Sequence, residues 1–108
     1  GTWRVLGTCQ AKSSGDHDVI IIKGPYDSFR KLKFKVMDSN LEIGEMLVRY
    51  DDSGAPERIE VRQNIEKGGE SRVLDLHGGK RKLKSVEFWY KDKGFMNGKA
   101  DLMILGMK

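Results

Sequence analysis

The sequence predicts an all-β fold, an antiparallel β-sandwich of about eight strands, from three observations. Apolar residues recur at every second position in several short segments, which is the period of a β-strand. Thirteen glycines and only two prolines are typical of short strands joined by tight turns. No stretch of ten or more residues has helical periodicity, which excludes parallel βαβ units. A small open β-barrel is the alternative, and residues 1–108 are expected to form one domain.

The first part of the chain alternates strand-like segments with polar turns. Residues 3–7 (WRVLG) open as a strand that the polar stretch 12–18 (KSSGDHD) ends. The run 19–22 (VIII) is apolar at four successive positions, so we expect a central strand buried on both faces. Residues 30–36 (RKLKFKV) alternate most clearly, and their outward positions are Lys31, Lys33 and Lys35.

Three further segments continue the pattern. Between residues 41 and 50 the inward phase slips by one residue at Gly44, which predicts a β-bulge or a short break there. Residues 59–62 (IEVR) alternate again. The last segment, residues 100–105 (ADLMIL), is apolar on both faces apart from Asp101 and is therefore expected to be central.

Residues 71–90 (SRVLDLHGGKRKLKSVEFWY) are interpreted as a hairpin that turns at residues 77–79. In its second arm, Trp89 points away from the inward face. Leu83 is one residue out of phase with that face, so a bulge near residues 84–85 is expected. The inward positions of this arm are Val86, Phe88 and Tyr90.

Composition narrows the classes of protein and of ligand. The net charge of +4 is small, and the two signs are interleaved along the chain. No apolar run is long enough to span a membrane. The single Cys9 rules out an internal disulfide and argues against a thiolate zinc site. The turn at residues 16–18 (DHD) lacks the further oxygen ligands of a calcium loop. We therefore expect neither a metal nor another cofactor.

The sequence gives little indication of catalysis. It contains no nucleophile motif, no phosphate-binding loop and no HExxH, and its two histidines have no triad partners placed by sequence. We therefore expect that the protein is not an enzyme. A small hydrolase whose carboxylates are assembled from separate loops is kept as an alternative.

The candidate binding residues are Trp89 and a basic cluster beside it, formed by Lys80, Arg81, Lys82 and Lys84. Cations next to an aromatic ring suit a polyanion or an acidic glycan, and an exposed Trp89 would suit a sugar ring. Outward lysines also protect sheet edges from aggregation, so nucleic acid is not the expected partner. For Trp89 we expect cover by a loop such as residues 95–96 (FM).

Asp75 lies in a segment that looks buried, close in sequence to Arg72 and Arg81. A buried carboxylate is costly unless it is paired, so we expect a structural ion pair between Asp75 and these arginines.

The sequence resembles a family of short, mostly exported bacterial all-β domains of unknown function. The matching residues are Trp3 to Gly7, Phe29-Arg30, Leu32, Val36, Val48 to Tyr50, Ser71 to Leu76, Gly78, Arg81, Val86 to Tyr90, and Leu105-Gly106. The resemblance implies a compact β fold and an exported, periplasmic or envelope-associated location, and it supplies no site residues. The chain begins with Gly1 and not with Met, which is consistent either with trimming or with a removed signal peptide.

The interpretation that follows is a non-catalytic domain for binding or structural interaction at the cell envelope. Its partner is unknown, with a glycan or an envelope protein as candidates. The alternatives are a carbohydrate- or polyanion-binding module and the small hydrolase.

Overall fold

The computed structural model describes residues 2–12, 14–22, 28–51, 54–78, 81–92 and 99–108, without the side chains of Arg81 and Asp92. Within these ranges all the regular structure is β, in nine strands. They are β1 (Arg4–Lys12), β2 (His17–Ile21), β3 (Ser28–Phe29), β4 (Lys31–Val36), β5 (Leu41–Tyr50), β6 (Glu57–Ile65), β7 (Leu74–Asp75), β8 (Arg81–Asp92) and β9 (Lys99–Met107).

The strands form two antiparallel sheets. The first sheet has the order β1-β9-β4-β7, and the second has the order β2-β8-β5-β6, with β3 paired to β8. The two sheets pack on one another, and over the described residues they do not close into a barrel. The predicted β-sandwich is confirmed.

The core lies between the sheets and is continuous from one to the other. Phe34 on β4 and Phe88 on β8 are fully buried, and their rings meet edge to face with centroids 5.4 Å apart. Leu32 and Val36, which share the inward face of β4 with Phe34, are also fully buried, as the alternation predicts. The inner faces of the two sheets are therefore held together mainly by burial of apolar side chains.

Both predicted bulges are present. The pairing of β5 shifts register between Ile43 and Glu45 on both of its sides, which places Gly44 in a bulge. A second shift aligns Arg49 with Ser85 but Tyr50 with Leu83, so Lys84 is the extra residue. These bulges bring the out-of-phase apolar residues back to the core face.

The predicted hairpin of residues 71–90 is wrong. β7 pairs with β4 in the first sheet, where Leu74 lies opposite Leu32, whereas β8 pairs with β2, β3 and β5. Gly78 does take a positive φ of 83°, but the connection leads from one sheet to the other. A glycine turn indicates where the chain reverses, and the partner of each arm is decided by contacts far away in sequence.

The central position expected for residues 19–22 is also wrong. β2 is an edge strand that pairs only with β8 among the described strands. Ile20 and Ile22 are buried, but Val19 and Ile21 are 42% and 58% exposed. An unbroken apolar run does not distinguish a strand buried on two faces from an edge strand with an apolar outer face. β9, by contrast, lies between β1 and β4, as predicted.

Candidate binding site

Trp89 lies on the outer face of the second sheet. The alternation along β8 buries Val86, Phe88 and Tyr90 and turns Glu87 and Trp89 outward. The indole is half-buried. The sequence predicted this opposite orientation. The loop expected to cover the ring, residues 95–96, lies outside the described residues.

Side chains from three other strands surround the indole. The pairing register places His17 of β2 and Glu45 of β5 on either side of Trp89. The His17 ring is 5.2 Å from the indole, centroid to centroid, and the Cζ atom of Arg58 on β6 is 6.0 Å from the indole centroid. An ion pair of 2.8 Å between Arg58 Nη1 and Glu45 Oε2 holds the guanidinium beside the ring.

Glu87 links His17 to Arg49 of β5. Its carboxylate accepts hydrogen bonds from His17 Nε2 and from Arg49 Nη1, the latter at 2.7 Å. The bonds from Arg49 and then from His17 lower the pKa of Glu87. The carboxylate therefore stays ionised at neutral pH. We call the outward group of Trp89, His17, Glu87, Arg49, Glu45 and Arg58 the Trp89 face.

A depression of about 220 Å³ adjoins the Trp89 face at the Gly44 bulge. We call it the Gly44 depression, and it is lined by Asp16, Glu42, Gly44, Trp89, Tyr90 and Lys91. It straddles β8, because Asp16 accepts a hydrogen bond from the Tyr90 amide on one side and Glu42 pairs with Lys91 on the other. A Cβ atom placed on Gly44 would have the Trp89 carbonyl oxygen, at 3.8 Å, as its nearest neighbour. The absence of a side chain at Gly44 thus keeps this space open.

The described side chains of the predicted basic cluster, Lys82 and Lys84, do not lie beside Trp89. Lys82 and Lys84 are exposed on β8, but Lys84 is five residues from Trp89, which is about 16 Å along a strand. Lys80 and the side chain of Arg81 lie outside the described residues. Arg58 has its Cζ atom 6.0 Å from the indole centroid, and Lys91 lines the Gly44 depression beside Trp89. Arg49 lies opposite Ser85 and joins the Trp89 face through its ion pair with Glu87. No local sequence signal pointed to Arg49 or Arg58, because the pairing of β5 and β6 determines where they lie.

The predicted ion pair between Asp75 and Arg72 is not formed. Asp75 is exposed, so its expected burial is wrong. Arg72 donates instead to the carbonyl oxygens of Val61, at 2.5 Å, and Glu60, at 2.8 Å, on the edge strand β6. The pairing of Asp75 with Arg81 stays a prediction, because the Arg81 side chain is not described.

Behind the Trp89 face, three polar groups meet at the end of the core. The Tyr90 hydroxyl donates to Asp18 Oδ2 at 2.8 Å. Burial, followed by the bond to Asp18, raises the pKa of Tyr90 to about 12, and burial together with Asp18 raises the pKa of the Cys9 thiol to about 11. Both groups are protonated at neutral pH. Cys9 therefore lacks the thiolate form that a cysteine nucleophile requires.

Other parts of the described surface are less suited to a ligand. A depression of about 400 Å³ on the first sheet has no aromatic side chain in its lining, and two of its polar side chains, Gln10 and Asp101, bond each other at 3.0 Å. Among the described residues no group of three or more histidines, cysteines or carboxylates is placed to hold a metal ion. None of the described residues belongs to a helix that could cross a membrane.

A family model described as "Domain of unknown function (DUF2541)" matches residues 1–106. No curated protein matches the sequence. Among solved structures, a variant of a family 29 carbohydrate binding module is similar over 99% of this chain and 89% of its own, at 18% identity and a TM-score of 0.32. A likeness at that level carries no argument about the ligand.

Proposed function

Since the chain belongs to the DUF2541 family of unknown function, we propose from the Trp89 face that it is a non-catalytic carbohydrate-binding domain. The observation that carries the proposal is a half-buried indole on an open sheet face, flanked by charged side chains already fixed in ion pairs and beside a depression. The proposal does not depend on the similar solved structure.

The chemistry of the Trp89 face suits a pyranose. One face of a sugar ring presents C–H groups that pack on an indole, and its hydroxyls need both donors and acceptors at the edge of that ring. Beside the indole, Arg58 supplies donors and Glu45 supplies an acceptor, and Arg49 supplies further donors beyond Glu87. Because the carboxylates hold both guanidiniums, less side-chain freedom is lost when a ligand binds.

Charge favours a neutral glycan over a polyanion. Glu45 and Glu87 offset Arg58 and Arg49 in direct ion pairs, so the Trp89 face has no uncompensated cationic strip. A polyanion site needs cations that track a phosphate or sulfate backbone. The exposed Lys82 and Lys84 lie too far along β8 to act together with the indole.

The hydrolase alternative has less support on this face. Asp16 and Glu42 both line the Gly44 depression, but Asp16 is exposed and Glu42 is only half-buried. A carboxylic general acid needs a drier pocket to keep its proton at neutral pH.

The test is a panel of soluble neutral polysaccharides in affinity electrophoresis, followed by calorimetry on any that retards the protein. Trp89→Ala should weaken binding at least tenfold, because the stacking surface is removed. Trp3→Ala is the matched control, because Trp3 covers Lys33 on the first sheet, with the Lys33 Nζ 4.2 Å from its ring centroid. Failure of every glycan to bind, or equal loss in both variants, would refute the proposal.

Tryptophan emission gives an independent readout of the same site. A glycan that stacks on Trp89 should shift the emission of Trp3→Phe, in which Trp89 is the remaining indole. The same glycan should leave the tryptophan emission of Trp89→Phe unchanged. The opposite pattern would place the ligand on the first sheet.

We also propose that the domain acts outside the cytoplasm, at the bacterial envelope, where glycans are plentiful. The support is the sequence resemblance to exported domains. Fractionation of cells that express the natural gene should recover the protein from the periplasm or envelope, and recovery from the cytoplasm alone would contradict this location.

A further inference from the structure

We infer that the Gly44 depression selects a sugar with an acetamido substituent, so that the ligand is a glycan of N-acetylated amino sugars. This inference rests on the proposed function, because it assigns a role to the space beside the stacking ring. It requires a pyranose placed on Trp89 and a substituent of that pyranose placed in the depression.

The first support is the position of the depression. Trp89 contributes both to the Trp89 face and to the wall of the depression. A sugar stacked on the indole therefore has one edge directed at the opening. The depression has a volume of about 220 Å³, which is more than a ring hydroxyl fills. A hydroxyl placed there would leave the rest of the space to water.

The second support is the absence of a side chain on the floor. In an ordinary strand, position 44 would carry a Cβ atom into this space. The bulge puts glycine there, with nothing nearer to an added Cβ than the Trp89 carbonyl oxygen at 3.8 Å. At Gly44 no side chain therefore fills the space, and a planar amide with a methyl group can approach the main chain closely there.

The third support is the mostly apolar lining of the depression. An acetamido group has an apolar methyl, an N–H donor and a carbonyl acceptor, and burial of its methyl in such a space is favourable. A sugar hydroxyl or carboxylate in the same place would lose water against apolar surface.

The test compares three β-1,4-linked trisaccharides that differ only at carbon 2: those of N-acetylglucosamine, glucose and glucosamine. Calorimetry on the wild type should give at least tenfold tighter binding of the N-acetylglucosamine trimer than of the glucose trimer. Gly44→Ala should reduce that ratio at least fivefold, since its methyl occupies the depression that the acetamido group enters. Trp89→Ala should weaken binding of both.

The outcomes separate the inference from the proposed function. Equal affinities for the N-acetylglucosamine and glucose trimers, or an equal effect of Gly44→Ala on both, would overturn the inference and leave carbohydrate binding in place. Tighter binding of the glucosamine trimer would also overturn it, because the carboxylates would then be binding an ammonium. If no glycan of the wider panel binds either, the proposed function itself fails. The urea midpoint of Gly44→Ala, expected to match that of wild type, controls for folding.

Discussion

Replacing Phe88 by alanine should remove a large part of the stability of this domain. Phe88 is fully buried, and its ring is 5.4 Å from that of Phe34 and 5.6 Å from that of Tyr90, centroid to centroid. Truncation of a buried phenylalanine costs about 3–5 kcal/mol. We expect the upper half of that range, because β8 is paired on both sides, to β2 and β5, and cannot move in to fill the cavity.

The assay is urea unfolding followed by far-UV circular dichroism and tryptophan emission. With a slope of about 1–3 kcal/mol/M for a small protein, a loss of about 4 kcal/mol lowers the midpoint by more than about 1 M. Lys82→Ala on the same strand is the control and should stay within about 0.5 kcal/mol of wild type, since Lys82 is exposed.

A double-mutant cycle with Phe34→Leu and Phe88→Leu tests the contact between the sheets directly. An edge-to-face pair contributes about 0.5–1.5 kcal/mol beyond its buried area, so the coupling energy should fall in that range. A loss below about 1 kcal/mol for Phe88→Ala, or no coupling, would show that the two sheets do not meet through these rings.

Two further predictions concern the polar contacts of the fold. The stability advantage of wild type over Tyr90→Phe should be fully present well below pH 10 and shrink towards pH 12. The unfolded tyrosine ionises near pH 10, while burial and the bond to Asp18 hold the pKa of Tyr90 at about 12 in the folded protein. Urea midpoints of both proteins at pH 8.5 and 11 measure this difference, and a difference that grows with pH would contradict it. Lys33→Ala should cost about 1 kcal/mol, since the Lys33 side chain is only 13% exposed and its ammonium lies 4.2 Å from the Trp3 ring centroid. Lys82→Ala is again the control, and an equally small change in both variants would show that the contact with Trp3 contributes nothing.

Local sequence was sufficient for the strands and their faces. The alternation of residues 30–36 and 86–90 identified Leu32, Phe34, Val36 and Phe88 as core, and breaks in that alternation located the bulges at Gly44 and Lys84. These features depend on the period of a strand and on the need to keep apolar side chains on one face. Both can be read within a few residues of the position concerned.

Pairing between distant segments was decided only by the tertiary structure. Nothing within residues 71–90 shows that β7 pairs with β4. Likewise, nothing within β2 shows that its apolar run lies at a sheet edge. The Trp89 face has the same origin, since its histidine, arginines and glutamates come from β2, β5, β6 and β8, of which only β5 and β6 are consecutive in the chain. The sequence predicted only that Trp89 points to the outer surface. The order of the strands determined which side chains surround it, because only hydrogen bonding between strands fixes which residues stand side by side.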